Sequence, residues 1–436
     1  MSHTAGADST LDTQRADGVR SRVRQLYGGA FGNFIEWYDW NIYGFMAVVF
    51  APVFFPGDVT ASLTYTLATF AIGFISRPLG AIVLSPYGDR RGRRFLLSLT
   101  VLLMGFGSLI IAAVPSYNSI GYAAPAILLI ARLIQGLGAG GEFQSAAAYI
   151  VESAPAARRA LFGSFQNVSG TLGVLAASGL AAVLTATIDE THLVSWGWRI
   201  AFLLGAGMAL FGFVLRRKLP DTPAFEKLEQ ANDTVEHPLR EALKNPIPIF
   251  YVFGMQAVVF SWYLWVSLLP TIAKMLGGLP LNVGLLGTTV ALVVIILSMP
   301  IVGWVSDRIH RRKPIMIAHS LGLILFAIPA FLLLKTGDAT TYFVVCIVGA
   351  ILVGFEGALV PTLICELFPA RHRLTGVGLS YSVSTAIFGG GGAVLAGYFA
   401  TTGSALVIAG LLIAQQLLSL FVFIVMPETA GKDLSQ

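Results

Sequence analysis

The chain has 436 residues, 56% of them hydrophobic and 12% charged, with a mean hydropathy of +0.76. Ordinary globular domains run about 25% charged, so one soluble core cannot hide this much apolar surface and the composition places the chain in a bilayer. The net charge of +5 suggests nucleic acid at first sight, but the placement of the basic residues, below, makes a nucleic-acid patch an unsuitable reading.

Residues 1–26 are polar and lack an apolar stretch followed by a cleavage site, which reads as a disordered cytoplasmic tail and not a signal peptide. Six apolar runs follow, each long enough to span at roughly 20 residues: about 28–50, 63–84, 95–114, 122–145, 160–184 and 197–215. A polar, helix-compatible stretch over 216–245 reads as a cytoplasmic linker. Six more runs lie at about 246–269, 283–305, 315–334, 341–365, 374–399 and 404–426. They are too long and too uniformly apolar for barrel strands. The expected fold class is an all-α membrane protein with twelve transmembrane helices in two pseudo-symmetric halves, 27–215 and 246–427, with 428–436 as a short cytoplasmic tail.

Two repeats support the division. Gly88-Asp89-Arg90-Arg91-Gly92-Arg93-Arg94 is echoed by Ser306-Asp307-Arg308-Ile309-His310-Arg311-Arg312, the two aspartates lying 218 residues apart (307 − 89). Glu152-Ser153-Ala154-Pro155 with Arg159 is echoed by Glu366-Leu367-Phe368-Pro369 with Arg373, 214 residues on (366 − 152). An even helix number per half keeps the halves parallel and puts the substrate site near midplane between them. With the N-terminus inside, 23 of the 28 basic residues fall on cytoplasmic segments, so the positive-inside rule sets both termini in the cytoplasm of a multi-pass protein of the cell membrane. Glycines 136, 138, 140 and 141 in the fourth run and 389–392 in the eleventh suit close helix packing, or bending during transport.

The Gly88–Arg94 stretch and its echo resemble the loop signature of the major facilitator superfamily. Glu36-Trp37-Tyr38-Asp39, Arg77-Pro78-Leu79-Gly80, Arg132-Leu133-Ile134-Gln135-Gly136, Trp196-Gly197-Trp198-Arg199 and Ala386-Ile387-Phe388-Gly389-Gly390 narrow the resemblance to its metabolite:proton symporters. That group contains permeases for 2-oxoglutarate, shikimate, citrate and proline or betaine. The resemblance implies a twelve-helix symporter driven by the proton gradient. Ser85 and Pro86 depart from the signature's usual opening, and Glu356 is an acid where an uncharged residue is expected.

A charge at bilayer centre costs roughly 2.5–3.5 kcal/mol on insertion scales, so buried ionisable residues mark function or pairing. Glu36 and Asp39 share a face of the first helix, and Arg132, Gln135 and Glu142 a face of the fourth. At 1.5 Å per residue, Asp39 and Arg132 each lie ~15 Å deep. By likeness to sugar:proton symporters of the superfamily, they are expected to form the protonation switch. Glu36 and Glu356 are the further proton-coupling candidates. Arg77, Gln135, Glu142, Gln166, Tyr263 and Arg199 are expected to bind substrate, with Arg77 clamping a carboxylate or neutralising Glu36. Asp89, Arg90, Arg93, Glu152, Asp307, Arg308 and Glu366 are expected to form a cytoplasmic gate.

The histidines form no metal cluster, and no nucleophile elbow or phosphate loop occurs, so an enzyme is not expected and no cofactor or metal is implied. A channel would need a continuous pore with repeated rings or a filter-like segment. The expected function is proton-coupled uptake of a small carboxylated metabolite, for example a dicarboxylate such as 2-oxoglutarate, by alternating access. A zwitterionic osmolyte such as betaine or proline is the alternative. Partners are substrate, proton and membrane lipid, and a monomer is expected to suffice.

Overall fold

The computed structural model describes residues 4–434, which are helical nearly throughout, with no strand among them. Twelve long helices run between the two ends of one bundle: α1 (Thr4–Phe54), α2 (Val59–Arg91), α3 (Arg93–Ala113), α4 (Ala123–Ser153), α5 (Ala156–Thr187), α6 (Glu190–Arg217), α7 (Pro246–Gly277), α8 (Leu281–Ile309), α9 (Lys313–Leu334), α10 (Ala339–Leu367), α11 (Ala370–Thr401) and α12 (Ala405–Val425). Eleven of these, α2 to α12, are long and apolar enough to cross a membrane. The inner part of α1 is diluted by Asn33, Glu36, Asp39 and Asn41. It takes its place as the twelfth span by length and by packing on α2, α4, α5 and α6.

Three expectations about boundaries change. α1 continues back to Thr4, where the sequence reading sets a disordered tail over 1–26; residues 1–3 lie outside the described residues. No proline interrupts 4–26, so nothing there stops the helix. The Gly88–Arg94 signature is not a loop: Asp89 sits in the last turn of α2 and Arg93 opens α3, and Gly92 alone separates them, at φ +99°. Arg216, expected to start the linker, is buried inside the first half as the last turn of α6. The linker itself folds into two short helices, Pro223–Gln230 and Pro238–Lys244, each opening on a proline whose missing N–H costs nothing at that position.

Helices α1–α6 and α7–α12 form the two halves. These meet through α2 against α11 and α5 against α8, a pair of contacts related by the duplication. Side chains such as Ile75, Leu325 and Val394 point outward, 69%, 76% and 73% exposed, as a lipid-facing surface requires. Inside the first half, small residues set the spacing: a Cβ on Gly140 would lie 2.1 Å from the Arg77 carbonyl oxygen, and one on Gly80 2.2 Å from that of Leu137. The glycine cluster of the fourth run is therefore a packing surface of α4, Gly136 and Gly140 on α2 and Gly138 and Gly141 on α3. Gly389–Gly391 instead fall in a π-helical turn, Thr385–Gly391, of α11, and α7 carries a 3-10 turn at Gln256–Val258 and a π turn at Leu264–Leu268. Such irregular turns cluster at functional positions.

Candidate functional site

A small cavity of about 30 Å³ lies between the halves, lined by Glu36 and Trp37 of α1, Arg77 of α2, Phe143 of α4, Asn167 of α5, Gln256, Trp262 and Tyr263 of α7, Glu356 of α10 and Tyr381 of α11. Gln256 reaches it from the 3-10 turn of α7, and Tyr381 from the regular turn of α11 that precedes its π turn. Arg77 donates from Nη2 to Glu36 Oε1 and lies 5.0 Å from the Trp40 ring. Trp37 meets Trp262 edge to face across the halves, centroids 6.1 Å apart, and Phe143 stacks on Tyr381 at 4.0 Å. Asn167 Nδ2 donates to the Gly357 carbonyl at 2.9 Å, joining α5 to α10.

Four buried polar atoms around this cavity have no hydrogen-bond partner among the described residues: Glu36 Oε2, Trp37 Nε1, Gln256 Oε1 and Trp262 Nε1. Most buried polar groups in proteins are paired. A cluster of two indole donors and two oxygen acceptors, facing one cavity beside a guanidinium, is suited to a small polar ligand. There is room for only a water or so, so a larger ligand fits only if the halves part on one side.

Of the expected substrate-binding residues, Arg77 and Tyr263 reach this cavity and four do not. Gln135 is tied up inside the first half, accepting from Arg132 Nη1 and donating to Ser108 Oγ, both at 2.8 Å. Glu142 takes both amino groups of Arg216, at 2.6 and 3.0 Å, and the Thr100 hydroxyl at 2.5 Å. Gln166 donates to the Phe143 carbonyl at 2.8 Å and is fully buried. Arg199 stacks on Trp198 and donates to the Val114 carbonyl at 2.8 Å near the end opposite the linker. Each lies on a helix face turned toward a neighbour within its own half, which periodicity alone does not distinguish from the face turned to the other half. Trp37, Phe143 and Tyr381 were missed because large aromatics in apolar helices read as core; Asn167 and Gln256 carried a signal as uncharged polar residues in spans.

The expected Asp39–Arg132 contact is indirect. Asp39 Oδ2 accepts from Ser108 Oγ at 2.7 Å, and Ser108, Gln135 and Arg132 complete a chain of hydrogen bonds. The Arg132 guanidinium lies in an aromatic cage instead, 4.4 Å from Trp40, 4.3 Å from Tyr43 and 5.0 Å from Phe70. Neither residue lines the cavity. Glu36 and Glu356 do.

At the end that carries the basic loops, the halves are fastened by a two-fold-related network. Asp89 caps the start of the regular helix in α11, accepting from the Leu374 and Thr375 N–H groups at 3.1 and 2.8 Å. Asp307 caps α5 in the same way through Ala160 and Leu161, at 3.1 and 2.9 Å. Glu152 receives Arg93 and, across the halves, Arg373; Glu366 receives Arg312 at 3.4 Å. Arg90 and Arg308 stand apart from this network: Arg90 is exposed and reaches the Glu236 carbonyl of the linker, and Arg308 lies over Trp304 at 5.4 Å. Arg312 and Arg373 take the places expected for them, because Arg90 and Arg308 sit on exposed faces of α2 and α8.

A third repeat emerges here. Pro220-Asp221-Thr222 after α6 matches Pro427-Glu428-Thr429 after α12. Asp221 accepts from the Arg93 and Arg94 N–H groups at the start of α3, and Glu428 from those of Arg312 and Lys313 at the start of α9. Thr222 donates to Glu152 and Thr429 to Glu366. Burial pushes the Asp221 carboxyl above its usual range, against the pull of these N–H groups and Arg93. The short motif Pro-acid-Thr at the end of each half was the available signal.

A duplicated bundle of twelve helices, closed around a polar cavity between its halves and pinned at one end, is the architecture of a membrane transporter and not of an enzyme. The chain belongs to the Major Facilitator Superfamily, whose profile matches residues 29–384 and 257–435. It is 36% identical over 392 residues to an alpha-ketoglutarate permease of Escherichia coli (strain K12), covering 89% of each chain. It is 34% identical over 434 residues to a putative proline/betaine transporter of Staphylococcus aureus (strain MSSA476), covering 95% of this chain and 91% of the relative. In fold it is similar to the proton:xylose symporter XylE bound to 6-bromo-6-deoxy-D-glucose, with a TM-score of 0.78 at 19% identity over 96% of this chain and 98% of that one.

Proposed function

We propose that the chain carries out proton-coupled uptake of a small carboxylated metabolite by alternating access, as a monomer in the cell membrane. The observation that carries this reading is the set of four unpartnered polar atoms beside Arg77 in the inter-half cavity. Arg77 and the two indole N–H groups supply donors for one carboxylate, and Gln256 Oε1 and Glu36 Oε2 accept from the remainder of the ligand. The name of the 2-oxoglutarate relative agrees with this class. A zwitterion such as betaine or proline is the second reading. It is favoured by the aromatic walls of Trp37, Trp262, Tyr263 and Tyr381 together with two cavity carboxyls, which suit an ammonium group.

Proton coupling rests on Glu356 at the cavity and on the Asp39–Ser108–Gln135–Arg132 chain beside it, where protonation of Asp39 would release Ser108 and the residues bonded through it. With the basic end in the cytoplasm, the Asp89 and Asp307 caps form the inner gate, closed here, and both termini are cytoplasmic. The linker is the tether between rigid halves, and residues past α12 are a tail docked on that gate. The experiment is uptake of labelled 2-oxoglutarate, betaine and proline by purified protein in proteoliposomes, with and without an imposed pH gradient. Accumulation of one of them above equilibrium, abolished by a protonophore, is expected. Equilibration without accumulation would overturn the symport reading and favour a channel.

A further inference from the structure

The repeat that sets Glu152 opposite Glu366 also sets Glu142 opposite Glu356, again 214 residues apart (356 − 142). Both are buried, on the fourth helix of their half. Their surroundings are not equivalent. Glu142 is held by the two amino groups of Arg216. What packs on Glu356 is Ser261 of α7, with Gln416 of α12 behind it, and His319 of α9, while Arg77, Glu36 and Tyr381 line the same cavity. We propose that Glu356 and His319 form a proton relay beside the cavity, with His319 as the acceptor that takes the proton from Glu356. This rests on the symport reading above and names a residue through which its proton passes.

The hydrogen positions follow from the partners. Ser261 Oγ lies 2.6 Å from the Val258 carbonyl oxygen and 2.9 Å from Glu356 Oε2, and a serine has one hydrogen. The hydroxyl serves one of the two acceptors at a time, and in the relay Glu356 carries the proton taken up at the cavity. His319 Nδ1 lies 2.8 Å from the Leu352 carbonyl, which can only accept, so Nδ1 carries the imidazole hydrogen and Nε2 keeps its lone pair. That Nε2 has no hydrogen-bond partner among the described residues and lies 4.0 Å from Glu356 Oε2. One rotamer change or one bridging water closes the gap.

The step balances: the Glu356 O–H bond breaks, an N–H bond forms at His319 Nε2, and acid plus neutral imidazole become carboxylate plus imidazolium. The imidazolium then gives a proton to water that enters when the halves part. Counted from the loop that joins α9 to α10, His319 lies fifteen residues in (334 − 319) and Glu356 seventeen (356 − 339), so the two groups sit at nearly the same depth.

The test uses full-length protein in proteoliposomes with labelled 2-oxoglutarate or betaine and a pH dye trapped inside. Substrate exchange at equal concentrations moves no net proton; gradient-driven accumulation does. For His319→Gln and His319→Asn, exchange is expected to stay within about twofold of wild type, while accumulation and lumenal acidification fall at least about tenfold. Glu356→Gln should lose accumulation and lumenal acidification to the same extent. Normal accumulation by both histidine variants overturns the relay. Loss of exchange and accumulation together makes His319 a packing residue and also overturns it. If Glu356→Gln accumulates normally, the proton role of Glu356 falls and the relay with it. Wild-type protein that never accumulates either substrate overturns the symport reading itself, a result distinguishable from the others.

Discussion

Asp89 Oδ2 accepts the Thr375 N–H at 2.8 Å and the Thr375 hydroxyl at 2.7 Å, so a carboxylate ending α2 in one half caps the first turn of α11 in the other. Asp307 repeats the arrangement on α5. Hydrogen bonds to charged groups contribute about 1.5–3 kcal/mol each, and these exist only while the basic end is closed. Asp89→Asn exchanges one acceptor for a donor that faces another N–H. It should slow uptake about tenfold or more and leave substrate affinity within about twofold, because Asp89 does not line the cavity. Initial rates against substrate concentration check this; normal turnover with a large loss of affinity would contradict the gate.

Arg77 sets a second prediction. Its guanidinium holds Glu36 and borders the cavity from one side. Arg77→Lys keeps the charge but loses the planar fork that pairs with a carboxylate. An increase in KM of about tenfold or more is expected, as for loss of one charge-assisted bond of about 1.5–3 kcal/mol. Arg77→Met should abolish uptake while the purified protein still melts cooperatively. Unchanged KM in the lysine variant would move carboxylate recognition away from Arg77.

How far the sequence carried these conclusions depended on what each pattern encodes. Eleven of the twelve spans follow from apolar length, and the duplication from the Asp89/Asp307 and Glu152/Glu366 echoes, since both signals are local in the chain. Helix phase put Arg132, Gln135 and Glu142 on one face, but that face turns toward α1, α3 and α6 within the half. Which neighbour a helix face meets depends on rotation about its axis and on spacing, which the glycines at 80 and 140 fix by backbone contact. The same limit hid Tyr381, whose stacking on Phe143 needs α4 and α11 to meet. It also hid the aromatic cage of Arg132, since a buried cation over aromatic faces leaves no carboxylate to search for.

Glu142 and Arg216 supply a stability prediction separate from transport. The pair is buried, and Arg216 also donates to the Gly28, Gly29 and Leu97 carbonyls, tying α6 to α1 and α3. Removing one partner of a buried pair costs about 3–5 kcal/mol. Glu142→Gln and Arg216→Met should each lower the melting temperature in detergent markedly, and the double variant by less than the sum of the two. Glu142→Gln that melts like wild type but fails to bind substrate would restore a direct substrate role for Glu142.

The residues after α12 give the last prediction, because two parts of that segment do different things. Glu428 and Thr429 belong to the second half: Glu428 caps α9 at 2.9 and 3.2 Å, and Thr429 donates to Glu366 at 2.7 Å. Lys432 and Leu434 lie farther on and reach both halves, the Lys432 carbonyl accepting from Arg159 of α5 and the Leu434 carbonyl from Arg373 of α11 at 3.0 Å. Asp221 and Thr222 reproduce the first arrangement after α6, but the chain there continues into the linker. Removing residues 430–436 should therefore leave the fold intact and loosen the gate, raising the labelling rate of a cysteine placed at Ser85 several-fold for bonds worth about 1 kcal/mol each. Removing 428–436 should also uncap α9, at about 1 kcal/mol or more, and lower the melting temperature. If the shorter deletion left labelling unchanged, Lys432 and Leu434 would be passengers on the gate and not part of its closure.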